Sequence, residues 1–257
     1  MAEVLLSARQ LTKRFGGLAA VNGVSVELWR GRIHAVIGPN GAGKSTLTNL
    51  LSGDLVPTSG QVHLGATEVT GWAPERISRQ GLGRSYQKTN IFLPLTVHEN
   101  VRLAAQSRDA QQPWNPLRWW QDTRSDTINN RATNARLESA IELSGLKNRR
   151  MAIAGAMSHG EQRQLEIAMT LATEPQVLLL DEPLAGMGVA EAERMVELLQ
   201  RLKPAHAIML VEHDMDAVFA LADHLTVMVN GEVIAHGSPP EVRADAMVQA
   251  AYLGEDH

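Results

Sequence analysis

The chain contains no cysteine. That excludes a disulfide scaffold, cysteine-ligated zinc and a thiol nucleophile. It lacks any apolar run near the ~18 residues a membrane-spanning helix needs. The opening MAEVLLSARQLTKRF lacks a basic segment ahead of a long apolar stretch, so no secretory signal is expected. A basic excess is missing too: 24 Lys and Arg stand against 28 Asp and Glu, a formal charge of -4. A chain with that balance is not a general nucleic-acid binder by charge. The nine histidines show no metal-ligand spacing, since His98-Glu99 lacks the second histidine of an HExxH motif. No repeat or low-complexity segment is present. What remains is ordinary: 257 residues, 44% hydrophobic and 20% charged, enough for one large core or two modest ones. The composition predicts a soluble, intracellular protein and leaves function to the motifs.

Periodicity divides the chain into three parts. The first third reads as strands and turns: strands over 4–11, 21–29, 33–38 and 61–65, with a helix over 43–52 through Leu47, Leu50 and Leu51. The middle, roughly 88–157, reads as helical over 98–107 and 131–146, with a proline- and tryptophan-rich insertion between. The last third alternates. A helix over 161–172 precedes VLLLD at 177–181, a continuous apolar run of the buried parallel type. An amphipathic helix follows over 189–202, with Met195, Leu198, Leu199 and Leu202 on one face. A second buried strand spans 207–212 and a helix 214–222. Two strands over 224–237 are joined by Asn230-Gly231, a hairpin signal. Strand–helix alternation with apolar strands predicts an α/β fold around a mainly parallel, covered sheet.

Gly38-Pro39-Asn40-Gly41-Ala42-Gly43-Lys44-Ser45-Thr46 fits G-x-x-x-x-G-K-[ST], after a buried strand and before a helix. Glycines let successive N–H groups converge on phosphate oxygens. The helix start adds unpaired N–H groups and its positive dipole end. Lys44 supplies a point charge to the β and γ phosphates. The Ser45 hydroxyl suits Mg²⁺, a hard cation that prefers oxygen. Asn40, Gly41, Ala42, Gly43, Lys44, Ser45 and Thr46 are therefore the expected phosphate cradle. VLLLD ends in Asp181-Glu182 at the carboxyl edge of the sheet, where ligands bind in α/β folds. Asp181 is expected to hold Mg²⁺, directly or through water, and Glu182 to act on the attacking water as general base or to orient it. Glu212-His213-Asp214 follows the next strand, so His213 reaches the same edge. An ordinary capping role for that segment is the competing reading, since Asp214 begins a helix.

Met157-Ser158-His159-Gly160-Glu161-Gln162 opens a helix nineteen residues ahead of the VLLLD strand. Ser158 with Glu161 reads as a capping box. With the motifs above, this segment resembles the signature of the ATP-binding cassette (ABC) transporter ATPases. The resemblance spans about 4–237 with every motif in order. It implies a P-loop NTPase cassette: a RecA-like mixed sheet, an antiparallel β subdomain and a helical subdomain. The chain is then one ATPase domain, with core 1–87 and 158–237, helical subdomain 88–157 and tail 238–257. The resemblance further implies that Phe15 stacks on adenine and that Gln87 reaches Mg²⁺ and senses the permease. It gives Ser158 and Gly160 the γ-phosphate of ATP held by an opposite subunit, Asp181 the metal, Glu182 catalysis and His213 the switch histidine. Two departures stand out. His159 replaces the first signature glycine, and Ala185-Gly186-Met187-Gly188 replaces the common Ser-Ala-Leu-Asp.

GLGRSYQKTNIFLPLTVHENVRLAAQ, the PLAGM turn and the C-terminal AAYLGED resemble the branched-chain (hydrophobic) amino acid uptake ATPases. Urea and short-amide uptake ATPases and a lipopolysaccharide-export ATPase are similar alternatives. A soluble ABC ATPase acting on nucleic acid or ribosomes is the alternative from another class, disfavoured by one cassette and the charge. The implied substrates and partners are ATP with Mg²⁺, two membrane permeases, a second ATPase subunit, the same or different, and indirectly a periplasmic binding protein. Nucleic acid is not expected. The implied location is peripheral, on the cytoplasmic face of the inner membrane. Trp114, Trp119 and Trp120 are expected to pack the insert against its own helical subdomain, with a membrane-proximal or permease contact as the alternative.

Overall fold

The computed structural model describes residues 3–86, 90–108, 125–213 and 215–253. In chain order the first elements are β1 (Val4–Phe15), β2 (Leu18–Trp29), β3 (Ile33–Ile37), α1 (Lys44–Ser52), β4 (Ser59–Leu64) and β5 (Thr67–Glu68). Next come α2 (Pro74–Arg79), β6 (Leu82–Arg84), α3 (Val97–Ser107), α4 (Ser125–Leu143), α5 (His159–Leu171), β7 (Val177–Asp181) and α6 (Val189–Leu202). The chain then runs through β8 (Ala207–Val211), α7 (Met215–Leu221), β9 (His224–Val229), β10 (Glu232–Gly237), α8 (Pro239–Ala244) and α9 (Ala246–Leu253).

Two sheets form. The first is antiparallel, in the order β2-β1-β4-β5, and the second runs β10-β9-β3-β8-β7-β6. In the second sheet β6, β7, β8, β3 and β9 are parallel neighbours, and only β10 is antiparallel. Every residue of β3, β7 and β8 is buried, which explains their unbroken apolar sequences. Their side chains nonetheless alternate between two cores. Ile33, Ala35, Ile37, Leu178, Leu180, Ile208 and Leu210 face the helices. Val36, Val177, Leu179, Ala207, Met209 and Val211 face α1 and the antiparallel sheet. A one-residue slip would exchange the two sets, so packing on both faces fixes the register that sets the site.

The helical middle packs α3 on α4 and α5. The helix expected over 131–146 starts earlier and ends at Leu143. Gly145 has φ +78; its N–H donates to the Glu142 carbonyl and that of Leu146 to the Ile141 carbonyl. This 5→2 and 6→1 pair is a Schellman stop, and Leu146 turns back into the core. Strand β6 and helix α2 carry no clear periodic signal in the sequence. Both are short, and β6 carries Gly83, whose missing side chain leaves room for Thr170 Cγ2, 2.5 Å from where a Cβ would lie. The amphipathic face of α6 is buried as expected through Met195, Leu198, Leu199 and Leu202. The tail helices return to the main core through Val242 and Val248. Among the described residues no helix is long and apolar enough to cross a membrane.

Candidate active site

The loop after β3 is held from behind by two other elements. Gly43, the N-cap of α1, has φ +99. A Cβ there would lie 2.3 Å from the Ala20 carbonyl oxygen of β2, so only glycine fits. The Gly231 N–H of the β9–β10 turn donates to the Ala42 carbonyl at 3.0 Å, and the Asn22 N–H donates to the Gly231 carbonyl at 2.8 Å. The cradle is thus fixed against strand β2 and a hairpin turn from the far end of the chain. Asn40, Gly41 and Ser45 are exposed, Thr46 is half-buried and Ala42 is buried. No side chain caps α1, which leaves its first turn open to an anion. Lys44 Nζ donates to the Gly38 and Pro39 carbonyls at 2.5 and 3.0 Å. Burial lowers its proton affinity, and the carboxylates of Glu182 and Asp181 partly restore it.

Asp181 ends β7, and Glu182 follows it. Asp181 is buried, and its Oδ1 has no hydrogen-bond partner. Burial raises its pKa most, with Arg84 opposing. An orphaned buried carboxylate oxygen and an exposed serine hydroxyl are the kinds of oxygen donor that fit a hard divalent cation. The edge strand orients it: Ser85 Oγ accepts from the Asp181 N–H at 3.3 Å. Glu182 adopts φ +49, a left-handed conformation costing about 1–2 kcal/mol in a residue with a Cβ. Its N–H donates to the Val211 carbonyl at 2.8 Å, tying it to β8. His213 Nδ1 lies 4.0 Å from Glu182 Oε1, with side chains 66% and 29% exposed respectively. This edge is open rather than enclosed.

Ser158 caps α5 in a full capping box with Glu161, as its sequence predicts. Its hydroxyl also donates to Glu191 Oε1 at 2.7 Å. Gly160 is buried beneath Glu191. Phe15 is half-exposed at the end of β1, with Lys13 Nζ 5.3 Å from its ring centroid. Gln87 lies outside the described residues, as do Asp214 and the three clustered tryptophans.

Two supporting groups had no distinct signal in the sequence. Glu212 is 1% exposed; its Oε1 accepts from the Leu184 N–H at 2.8 Å, and its Oε2 accepts from the His213 N–H at 3.3 Å. It therefore ties the turn after Glu182 to the segment carrying His213. On α5, Arg163 Nη1 donates to Glu166 Oε2 at 2.8 Å and to the Tyr86 carbonyl at 2.9 Å, and Glu166 Oε1 accepts from the Tyr86 N–H at 3.3 Å. The helix that follows Ser158 thus grips the residue before Gln87. Spacing alone makes Arg163 and Glu166 look like an exposed i,i+3 pair, whereas both are buried.

The model of the family described as ABC transporter matches residues 21–185. The chain belongs to this family. A second model, described as Branched-chain amino acid ATP-binding cassette transporter, matches residues 232–257 of the cassette. The cassette is 36% identical over 257 residues to the high-affinity branched-chain amino acid transport ATP-binding protein BraF of Pseudomonas aeruginosa, covering 99% of this chain and 100% of that one. It is 37% identical over 260 residues to the corresponding LivG of Escherichia coli (strain K12), at the same coverage. Among solved structures it is similar to an ATP-binding cassette of an ABC transporter in its ADP conformation, with TM-score 0.82, 29% identity, and 99% and 100% of the two chains covered. A nucleotide-free cassette from an ABC transporter matches with the same TM-score and identity. The cassette is an ATPase built around a mixed α/β sheet.

Proposed function

We propose that this ATPase drives an importer for branched-chain or other hydrophobic amino acids. It would work as one of two ATPase subunits beneath two membrane permeases, on the cytoplasmic face of the membrane. A periplasmic binding protein would deliver cargo. The observation that carries this reading is the match of residues 232–257 to the branched-chain cassette model. Full-length likeness to BraF and LivG supports it.

The residues divide the work. The first-turn N–H groups of α1 and the Lys44 ammonium take the phosphates, and Lys44 exchanges two neutral carbonyl acceptors for anionic ones. Phe15 offers a ring to adenine. Ser45, Gln87 and Asp181 would hold Mg²⁺, which when bound neutralises charge on the β and γ oxygens. Glu182 accepts a proton from the attacking water, and His213 would steady Glu182 and the terminal phosphate. The exposure of Glu182 and His213 leaves the site to be completed by a second surface. Ser158 and Gly160 of the opposite ATPase supply it, with a hydroxyl, an N–H and a helix N-terminus. Phe92, Leu93, Met151 and Ile153 are exposed apolar residues, grouped by the Leu93–Gly155 and Thr96–Ile153 pairings. They give the permeases an apolar foothold.

Uptake of labelled leucine by cells lacking the chain tests the proposal. Uptake is expected to fall to background and to return with the intact chain but not with Glu182→Gln. Undiminished uptake of leucine, isoleucine and valine would contradict the cargo assignment.

A further inference from the structure

Glu191 has no part in the mechanism above, yet it sits on one of its surfaces. It lies in the first turn of α6, after the Gly188 N-cap. Its carboxylate crosses to the start of α5, where it takes the Ser158 hydroxyl hydrogen at 2.7 Å. The backbone of Gly188 and Gly160 helps to stabilise the charge of the same carboxylate. A Cβ on Gly160 would come 2.8 Å from Glu191 Cδ and 3.0 Å from Oε1, so the carboxylate rests directly on the glycine. The Ser158 hydrogen bond above all, with smaller help from Gly188, Gly160 and Arg194, holds its carboxyl below the ordinary glutamate range against desolvation, the second-largest influence.

Hydrogen-bond arithmetic makes this contact exclusive. A serine hydroxyl has one proton to donate. The acceptor side of Ser158 already takes the Glu161 N–H at 3.3 Å. While the proton points at Glu191 it cannot point at a phosphate oxygen. The Gly160 N–H is likewise single. Carboxylate and γ-phosphate are both anions, so the two repel each other in one small site.

We propose that Glu191 is a resident anion in the Ser158–Gly160 site and must vacate it before the partner subunit's ATP is clamped there. The inference rests on the reading that Ser158 and Gly160 receive that phosphate. The fold offers the displaced carboxylate a place. A cavity of about 530 Å³ opens beside it, lined by Ser158, Glu191, Arg149, Arg194 and Arg201 among others. Arg194, three residues along the same helix, presents a cation at the spacing where side chains meet. Closure of the ATPase pair is then an exchange of one anion for another, and the resident carboxylate raises the ATP needed to close it.

The test is the ATPase of the transporter complex co-purified through this chain, measured against ATP concentration. Glu191→Gln removes the charge and keeps the shape, Glu191→Ala removes both, and Ser158→Ala reports on the site itself. The half-saturating ATP concentration is expected to fall at least about fivefold in both Glu191 variants, with kcat within about twofold. Ser158→Ala is expected to abolish turnover. An unchanged or raised half-saturating concentration in a normally melting Glu191→Gln complex, with Ser158→Ala inactive, overturns the resident-anion proposal alone. Full activity in Ser158→Ala removes the phosphate role of Ser158 and the proposal with it. Should Glu191→Ala melt early, Glu191→Gln decides.

Discussion

Glu182 Oε1 and His213 Nδ1 stand 4.0 Å apart at the ends of β7 and β8, adjacent parallel strands. The pairing of Asp181 with Val211 and the bridge through Glu212 set that separation. Two carboxyl-terminal strand edges therefore bring a carboxylate and a histidine together, with the Lys44 ammonium within electrostatic reach of Glu182.

Replacing Glu182 with Gln leaves size and the bond from its N–H to Val211 intact while removing the proton acceptor. Turnover is expected to fall by about 10²–10⁴, with ATP binding retained. Single-turnover hydrolysis beside nucleotide titration measures both. Normal turnover would remove the assignment.

Lys44→Ala deletes the charge proposed to meet the β and γ phosphates. A charge-assisted contact contributes about 1.5–3 kcal/mol, so nucleotide affinity is expected to drop roughly 10- to 100-fold. Fluorescent-nucleotide titration checks this. The melting temperature should change little, because among the described residues the Lys44 ammonium hydrogen-bonds to carbonyls of its own loop and its interaction with Glu182 and Asp181 is electrostatic, without a direct bond.

Much of this site was legible in the chain itself. The P-loop, the VLLLD edge and the capping box at Ser158 are local patterns, each with one residue type per chemical task, and local patterns survive folding. The alternation of β3, β7 and β8 between two cores was hidden, because strands buried on both faces read as uniformly apolar. Arg163, Glu166 and Glu212 were hidden for a related reason: a charged residue on a helix face or strand end signals solvent unless tertiary packing closes over it. The contact between the two sequence departures was also invisible. The His159 ring packs over Gly186, with its Cε1 3.6 Å from where a Cβ would lie, although 27 positions separate them in sequence.

Arg163→Ala would leave the buried Glu166 carboxylate without its cation. Burial already pushes that carboxyl above its ordinary range despite Arg163. The expected loss is about 3–5 kcal/mol in denaturant unfolding. An Arg163→Met/Glu166→Leu double variant should lose less, because it leaves no uncompensated charge. A loss under about 1 kcal/mol for Arg163→Ala would contradict the clamp.

His34 gives the fold an acid limit. It is buried, its Nε2 pairs with Thr226 Oγ1 at 2.9 Å, and its ring centroid is 5.0 Å from that of His224. Burial first, then His224, pushes its pKa down to about 3. The folded chain thus refuses a proton that the unfolded chain accepts below about 6.5. Stability is present above that pH and is lost as pH falls toward 3, at about 1.4 kcal/mol per unit for this one group. His206 and His224, both lowered mainly by burial, add to the same limb. In His34→Gln the acid slope of unfolding free energy should shrink by about one proton. An unchanged slope would show that His34 is not the group responsible.

The proposed role of this chain, the motor of an amino acid importer, is open to one direct measurement. The most direct test is the ATPase rate of the complex purified with its permeases in lipid, with and without leucine-loaded binding protein. The expected result is a rise in rate with the loaded protein, absent in Glu182→Gln and unaffected by added DNA. A rate indifferent to every loaded amino acid binding protein, or a chain that purifies without any permease, would contradict the claim.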